Sequence, residues 1–232
     1  LFKTEKYADA LNVYRRILPT ARNESIAGQE VLSLYRLKRV KEAQKMVKTF
    51  KKNHKTATDW VALFEVEEGK YKLRLQKPKD ARKIFEKIIR NYPKSEAEAE
   101  ASYYLVRAFF LTPDKDGNNE PYFKALVSFV ETFPRNPHWS SANLELAEYW
   151  ERNEEFGRAA RTYQNALENG LAYEKRPGVI NKIVESYKNL KLYEQAIGYA
   201  RRLVNEFPQH KLTLESQIDI GEMLFYKGDY RQ

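Results

Sequence analysis

The stretch DKDGNNE at residues 114–120 carries oxygen-bearing side chains at alternate positions, which is the spacing of a calcium-binding loop. These side chains belong to Asp114, Asp116, Asn118 and Glu120. The EF-hand pattern then breaks, because Gly117 stands at the fourth loop position instead of the sixth and Ala125 replaces the bidentate glutamate at the twelfth. A turn rich in Asn, Asp and Gly joins two helices without any ion. We therefore predict a plain connecting loop and no metal site.

Other residue types that support catalysis are absent or dispersed. The chain has no cysteine, which excludes disulfides, thiolate metal sites and cysteine nucleophiles. Its three histidines, His54, His138 and His210, follow predicted helices and are 84 and 72 residues apart. Neither phosphate-binding pattern, G-x-x-x-x-G-K-[ST] or G-x-G-x-x-G, occurs. The sequence predicts a protein that is not an enzyme, with no cofactor and no small-molecule substrate.

Positive charge is concentrated at the N-terminal end. Residues 1–55 hold 14 Lys/Arg and 5 Asp/Glu, whereas residues 56–232 hold 27 of each, so the whole net charge of +9 lies in the first segment. The basic patch that we single out consists of Arg36, Lys38, Arg39, Lys41, Lys45, Lys48 and Lys52. Its candidate ligands are acidic lipid headgroups, an acidic protein partner and nucleic acid. The favoured interpretation is a solvated helix face that binds no ligand. Nucleic acid is least favoured, because aromatic residues are not interleaved with the cations.

The elements that must position these residues are helices. Charged residues make up 31% of the chain, and both Gly and Pro are sparse, with 9 of each. This composition is typical of an elongated helical protein. The most apolar window, YYLVRAFFL at 103–111, is interrupted by Arg107 and is far shorter than the roughly 20 residues of a membrane span.

Six segments repeat the same helical pattern. Each carries an alanine in register, with spacings of 33, 38, 44, 34 and 37 residues. Side chains four and seven positions after the alanine are mostly apolar, which is the buried stripe of an amphipathic helix. Another helix precedes each of these segments, so the chain is predicted to consist of helix pairs. The register alanines are Ala10, Ala43, Ala81, Ala125, Ala159 and Ala196.

The repeats resemble the tetratricopeptide repeat (TPR) family. The strongest stretches are LAEYWERNEEFGRAARTYQNAL at 146–167 and IVESYKNLKLYEQAIGYARRLVNEFP at 183–208, and Gly221, Gly228 and Tyr230 stand where the family has its two glycines and its aromatic residue. The resemblance implies an all-α fold, an α–α superhelix (TPR solenoid) of about six repeats and roughly 12 helices. First helices of each pair would line a concave groove, and second helices would lie outside. Residues 1–232 would form a single solenoid domain.

Both ends of the sequence resemble interrupted repeats. Leu1-Phe2-Lys3 has the pattern of the end of a helix. If the last spacing of 37 residues is repeated, the register alanine after Ala196 is expected near residue 233. Ends of solenoids carry polar caps, and neither end has such a pattern. We therefore expect the chain to be a fragment of a longer protein.

The resemblance also indicates which residues face the groove. On the first helices we expect a mixed-charge surface that binds a peptide, although the two-Lys, two-Asn carboxylate clamp of co-chaperone repeats is not apparent. The candidates are Tyr103, Arg107, Phe110, Glu145, Glu148, Glu151, Arg152, Glu185, Lys188 and Asn189.

The function that follows is a non-catalytic scaffold for a protein or peptide partner. The stretch NYPKSEAEAEASYYL at 91–105 resembles bacterial envelope TPR proteins, which favours a periplasmic or envelope assembly, such as outer-membrane assembly, secretion or a flagellar-motor scaffold. Two alternatives stay open: docking of the basic end on an anionic surface, with any membrane association indirect, and a regulatory arm of a larger enzyme or sensor. Cytoplasmic location and oligomeric state stay open as well.

Overall fold

The computed structural model describes residues 6–17, 23–113 and 119–228. Across these ranges it contains twelve α-helices and one 3-10 helix, and no strand, so the expected all-α class is confirmed. The α-helices in chain order are α1 Tyr7–Arg16, α2 Glu24–Arg36, α3 Val40–Asn53, α4 Thr58–Arg74, α5 Pro78–Asn91, α6 Glu96–Phe110, α7 Glu120–Thr132, α8 Trp139–Arg152, α9 Phe156–Glu168, α10 Arg176–Asn189, α11 Tyr193–Glu206 and α12 Leu212–Lys227. None of these helices has the length and apolarity needed to cross a membrane.

The chain divides into two compact units, Leu1–Ala125 and Leu126–Gln232. In the first unit, α4 packs against α5, α5 against α6, and the first helices α4 and α6 also contact each other. In the second unit, α8 packs against α9, α9 against α10, α10 against α11, and α11 against α12. Each helix therefore packs mainly on its neighbours in sequence, as repeats built from helix pairs require.

The register alanines lie in the cores of these units. Five of the six have no exposed surface: Ala10, Ala43, Ala81, Ala159 and Ala196. Ala125 is half-buried. A methyl side chain at these positions lets the facing helix approach closely, and larger apolar side chains such as Phe85 and Tyr163 fill the space alongside.

Two glycines on first helices permit a still closer approach. A Cβ atom on Gly69 of α4 would lie 2.4 Å from the ring of Phe85, and one on Gly28 of α2 would lie 2.4 Å from the ring of Trp60. Both distances are far below van der Waals contact. The aromatic rings of the neighbouring helices therefore pack directly on the backbone at these two positions.

The same turn joins first and second helices in four pairs. A single residue in the left-handed conformation ends the first helix, with φ between 56° and 61°: Lys38, Gln76, Glu154 and Lys191. After α10, for example, the amide of Lys191 donates to the carbonyl of Lys188 and the amide of Leu192 donates to that of Tyr187. This is the Schellman pattern of a helix C-terminus, here formed without glycine. Its recurrence is backbone evidence for the repeat.

Candidate functional site

A chain of ion pairs connects the first helices of the second unit. The ammonium group of Lys182 on α10 donates to Glu151 on α8 at 2.9 Å and to Glu185 at 3.1 Å. Further along α10, Lys188 pairs with Asp219 of α12. We call this set, Glu151, Lys182, Glu185, Lys188 and Asp219, the second-unit ladder. It links α8 to α10 through Lys182, and α10 to α12 through Lys188.

The second-unit ladder is anchored to the core by a tyrosine. The hydroxyl of Tyr163 on α9 donates to the Glu151 carboxylate at 2.8 Å. Burial, and then this bond to Glu151, raises the pKa of Tyr163 well above its usual range. The hydrogen bond to Glu151 is the main cause that raises the pKa of Lys182. Tyr163 and Lys182 therefore both stay protonated throughout the neutral range.

The predicted groove residues of the second unit have different environments. Glu151, Glu185 and Lys188 belong to the ladder, so intramolecular partners occupy their charges. Two more candidates bond to the backbone of their own helices: Arg152 donates to the carbonyl of Glu148, and Asn189 to that of Glu185. Glu148 is exposed and Glu145 is half-buried.

Three residues of this face were not singled out from the sequence. They are Asn181, whose amide donates to Glu185 at 2.9 Å, together with Lys182 and Asp219. The spacing of Lys182 and Glu185, three residues apart on a helix, was the available signal. Ion pairs between different helices could not be predicted from the sequence, because they depend on how the repeats stack.

An exposed apolar stripe runs along α12 beside the second-unit ladder. Its members are Leu214, Ile218, Phe225 and Tyr226, which are 67%, 56%, 63% and 68% exposed. Ile218 directly precedes Asp219, the ladder residue that pairs with Lys188, so the two side chains lie on adjoining sides of α12. Large apolar side chains exposed together on one helix are typical of an interaction site.

The first unit contains a similar chain of ion pairs across three first helices. Arg36 of α2 pairs with Glu67 of α4 at 3.1 Å, and Lys70 of α4 pairs with Glu67 at 3.1 Å and with Glu100 of α6 at 3.0 Å. Glu67 and Lys70 are buried, and the Lys70 ammonium group lies 4.5 Å from the centre of the Tyr104 ring. Burial by itself lowers the pKa of Lys70, but the two carboxylates outweigh it and raise the pKa above its ordinary value. Lys70 therefore keeps its charge within the core.

The three candidates on α6 lie together in the first unit. The guanidinium of Arg107 is 5.2 Å from the centre of the Phe110 ring, and Phe110 is 53% exposed. Phe110 also contacts the ring of Tyr122 at 5.6 Å, while Tyr103 is half-buried against Tyr104. This group forms a small cationic and aromatic surface at the end of α6.

The predicted basic patch separates into distinct environments. Arg36 pairs with Glu67, and Arg39 pairs with Glu42, so acidic partners satisfy both arginines. Lys38 lines a cavity of about 320 Å³ next to Arg36. Lys52 is exposed. The remaining three, Lys41, Lys45 and Lys48, line one groove between α3 and α4.

The calcium-like stretch is described only at its end. Asp114, Asp116 and Asn118 lie outside the described residues. Glu120 begins α7 and pairs with Lys124 at 2.6 Å, and this hydrogen bond holds the pKa of the Glu120 carboxyl below its usual value. Within the ranges that the structure describes, no group of three or more His, Cys, Asp or Glu side chains has an arrangement that could hold a metal ion.

Comparison with known families agrees with the helix-pair geometry. Profiles of the tetratricopeptide repeat match residues 66–137 and 182–210. The chain is a tetratricopeptide repeat protein. No curated protein matches it. Tetratricopeptide repeats form scaffolds for protein–protein interaction, and this chain has that fold.

Solved structures with the same fold span nearly the whole chain. The C-terminal part of a TPR repeat-containing protein from Cytophaga hutchinsonii has a TM-score of 0.59 at 16% identity, covering 100% of this chain and 87% of that one. The apo form of RapI has a TM-score of 0.58 at 14% identity, covering 99% and 69%. A signal transduction ATPase with a TPR sensor from Pyrococcus horikoshii has a TM-score of 0.56 at 17% identity, covering 96% and 37%. At these identities the likeness concerns the fold alone.

Proposed function

We propose that this tetratricopeptide repeat protein is a non-catalytic scaffold that binds a helical segment of a partner protein on the first helices of its second unit. The exposed apolar stripe of α12 carries this proposal. Apolar side chains anchor most protein interfaces, and aromatic residues dominate their energetics. Ile218 and Phe225 are more than half exposed and seven residues apart, which matches the spacing of apolar anchors on an amphipathic helix.

The second-unit ladder supports the proposal by fixing the surface before a partner arrives. Its ion pairs connect three successive first helices, so the relative positions of α8, α10 and α12 do not have to be established during binding. A preorganised surface binds more tightly, because less side-chain and backbone entropy is lost on association. In this proposal the ladder sets geometry, the exposed carboxylate of Glu148 adds a polar contact, and the α12 stripe supplies the affinity.

The α6 surface is the corresponding candidate in the first unit. Phe110 is exposed and Arg107 lies over its ring, so the pair presents both an apolar face and a positive charge. Residues of this kind, aromatic and arginine, are the types most enriched at interface hot spots. The narrower prediction of a bacterial envelope assembly stays a prediction, and the identity of the partner tests it.

The experiment is affinity capture from lysate of the native organism with three baits. The first bait is the unchanged chain, and the second carries Ile218→Ser and Phe225→Ser on the α12 stripe. The control bait carries Val13→Ser on α1 and Leu75→Ser directly after α4, which remove apolar side chains of 46% and 44% exposure outside α12. We expect a partner that the unchanged and control baits both retain and the stripe variant loses.

A separate bait with Arg107→Ala and Phe110→Ala tests the α6 surface. Retention of every partner by the stripe variant would contradict the assignment to α12. If the α6 variant alone lost the partner, the binding surface would belong to the first unit.

A further inference from the structure

A groove of about 480 Å³ lies between the second helix α3 and the first helix α4 in the first unit. Four lysines of α3 form one wall: Lys41, Lys45, Lys48 and Lys51. Glu65 and Glu68 of α4 stand on the opposite wall. The half-buried Val47 contributes apolar surface, and Phe64, which also lines the groove, is 2% exposed. No residue of this groove belongs to the second-unit ladder or to the α12 stripe.

The unsatisfied charge of this groove is positive. Glu65 already pairs with Lys87 at 3.0 Å and with Lys51 at 3.6 Å. Glu68 accepts a hydrogen bond from Gln44 at 2.9 Å and pairs with Lys72 at 3.7 Å. In contrast, three of the lysines have no ion-pair partner among the residues that the structure describes: Lys41, Lys45 and Lys48.

These three lysines are spaced for an elongated ligand. Lys41, Lys45 and Lys48 recur at i, i+4 and i+7 and are all exposed on one side of α3. With a rise of about 1.5 Å per residue, their attachment points span about 10 Å along the helix axis. A ligand that meets all three therefore presents several negative charges in a row over a comparable length.

The apolar part of the groove identifies the chemical class of that ligand. Val47 is half-buried and lines the groove, and the methylene stems of the lysines add further apolar surface along the same wall. A phosphate polymer or a lipid headgroup gains nothing from such surface, whereas a peptide buries apolar side chains against it. We propose that the α3–α4 groove is a second binding site, which takes an acidic amphipathic segment of a partner protein.

The recognition would combine the two surfaces of the groove. Asp or Glu side chains of the segment pair with Lys41, Lys45 and Lys48, and its apolar side chains lie on Val47 and on the methylene stems of the lysines. Exposed ion pairs are individually weak and are screened by salt, so affinity falls as ionic strength rises. This site does not depend on the α12 stripe.

The test is selection from a random peptide library displayed on phage, followed by affinity measurement for the best peptide by fluorescence anisotropy. The groove variant carries Lys41→Glu, Lys45→Glu and Lys48→Glu. Its matched control carries Lys55→Glu, Lys77→Glu and Lys94→Glu, which change the net charge equally at exposed positions outside the groove. Circular dichroism checks that each variant is folded. If the triple Glu variant is not folded, a variant with Gln at the same three groove lysines replaces it.

We expect the unchanged chain to enrich peptides that combine acidic and apolar residues. The groove variant should bind the best of them about tenfold more weakly, as the loss of three exposed ion pairs implies. It should also enrich basic peptides instead. The control variant and the Ile218→Ser, Phe225→Ser variant should both keep the original affinity, which separates this site from the proposed function.

Two results would overturn the proposal. One is the absence of acidic enrichment, or an equal affinity of the groove and control variants for the selected peptide. The other is that the library yields no acidic peptide, while the unchanged chain binds phosphatidylserine vesicles or inorganic polyphosphate and the groove variant does not. The second result would assign the lysines to a phosphate-bearing ligand.

Discussion

At the scale of single residues, two positions show how side-chain size and polarity support the interaction surfaces. Gly69 lets the ring of Phe85 rest on the backbone of α4, close to the buried pair of Glu67 and Lys70. Tyr163 connects the core of the second unit to Glu151 of the second-unit ladder. The buried stripes were predictable, because helical period and residue type fix them. The bond of Tyr163 was not, because a tyrosine on a buried stripe gives no sign of what its hydroxyl contacts.

Replacing Gly69 by alanine should destabilise the protein. The added Cβ would lie 2.4 Å from Phe85, and overpacking of this kind costs about 1–3 kcal/mol. Gly198→Ala is the matched control, since Gly198 also lies within a helix but a Cβ there meets no atom within 4 Å. The control should gain up to about 1 kcal/mol from helix propensity. Urea unfolding measures both, and equal midpoints for the two variants would refute the close packing at Gly69.

Replacing Tyr163 by phenylalanine should cost about 1–2 kcal/mol at neutral pH, because the bond to the Glu151 carboxylate is lost. The pKa of Tyr163 is raised in the folded state, so its contribution is complete below the unfolded value of about 10 and is lost as pH rises through the folded pKa. The stability difference between the two proteins should therefore shrink above about pH 10. Urea unfolding across the alkaline range checks this, and a difference independent of pH would count against the ionisation argument.

At the scale of elements, the first helices are connected by charge as well as by apolar packing. The repeat register predicted which helices pair and which stripes are buried, and the structure agrees at five of the six register alanines. The sequence did not predict that Arg36, Glu67 and Lys70 pair across helices, since that depends on how neighbouring repeats stack. The left-handed conformation of turn residues such as Glu154 was also not predicted, because these positions are not occupied by glycine.

Removing the charge of Lys70 should destabilise the first unit strongly. Lys70→Ala leaves the buried carboxylate of Glu67 with Arg36 as its remaining partner, and breaking a buried pair costs about 3 kcal/mol or more. Lys87→Ala removes an exposed pair with Glu65 and should change stability by about 0.5 kcal/mol or less. Thermal unfolding compares the two, and a similar effect of both substitutions would mean that the Glu67–Lys70 pair is not structurally important.

At the scale of the whole molecule, charge and apolar surface are separated along the chain. The excess of nine positive charges lies within residues 1–55 and includes the lysines of the α3–α4 groove, whereas the α12 stripe lies in the electrically balanced remainder. A scaffold with two chemically different surfaces can hold two partner segments at once, or two parts of one partner. The single solenoid domain over residues 1–232 stays a prediction.

The most direct test of the central claim is hydrogen–deuterium exchange of the chain with and without its captured partner. The proposal places the partner on the first helices of the second unit, so amides of α10 and α12 should become protected in the complex, because bound helices open less often. The Ile218→Ser, Phe225→Ser variant should show no such protection. Protection confined to the second helices α9 and α11, with α10 and α12 unchanged, would contradict the account.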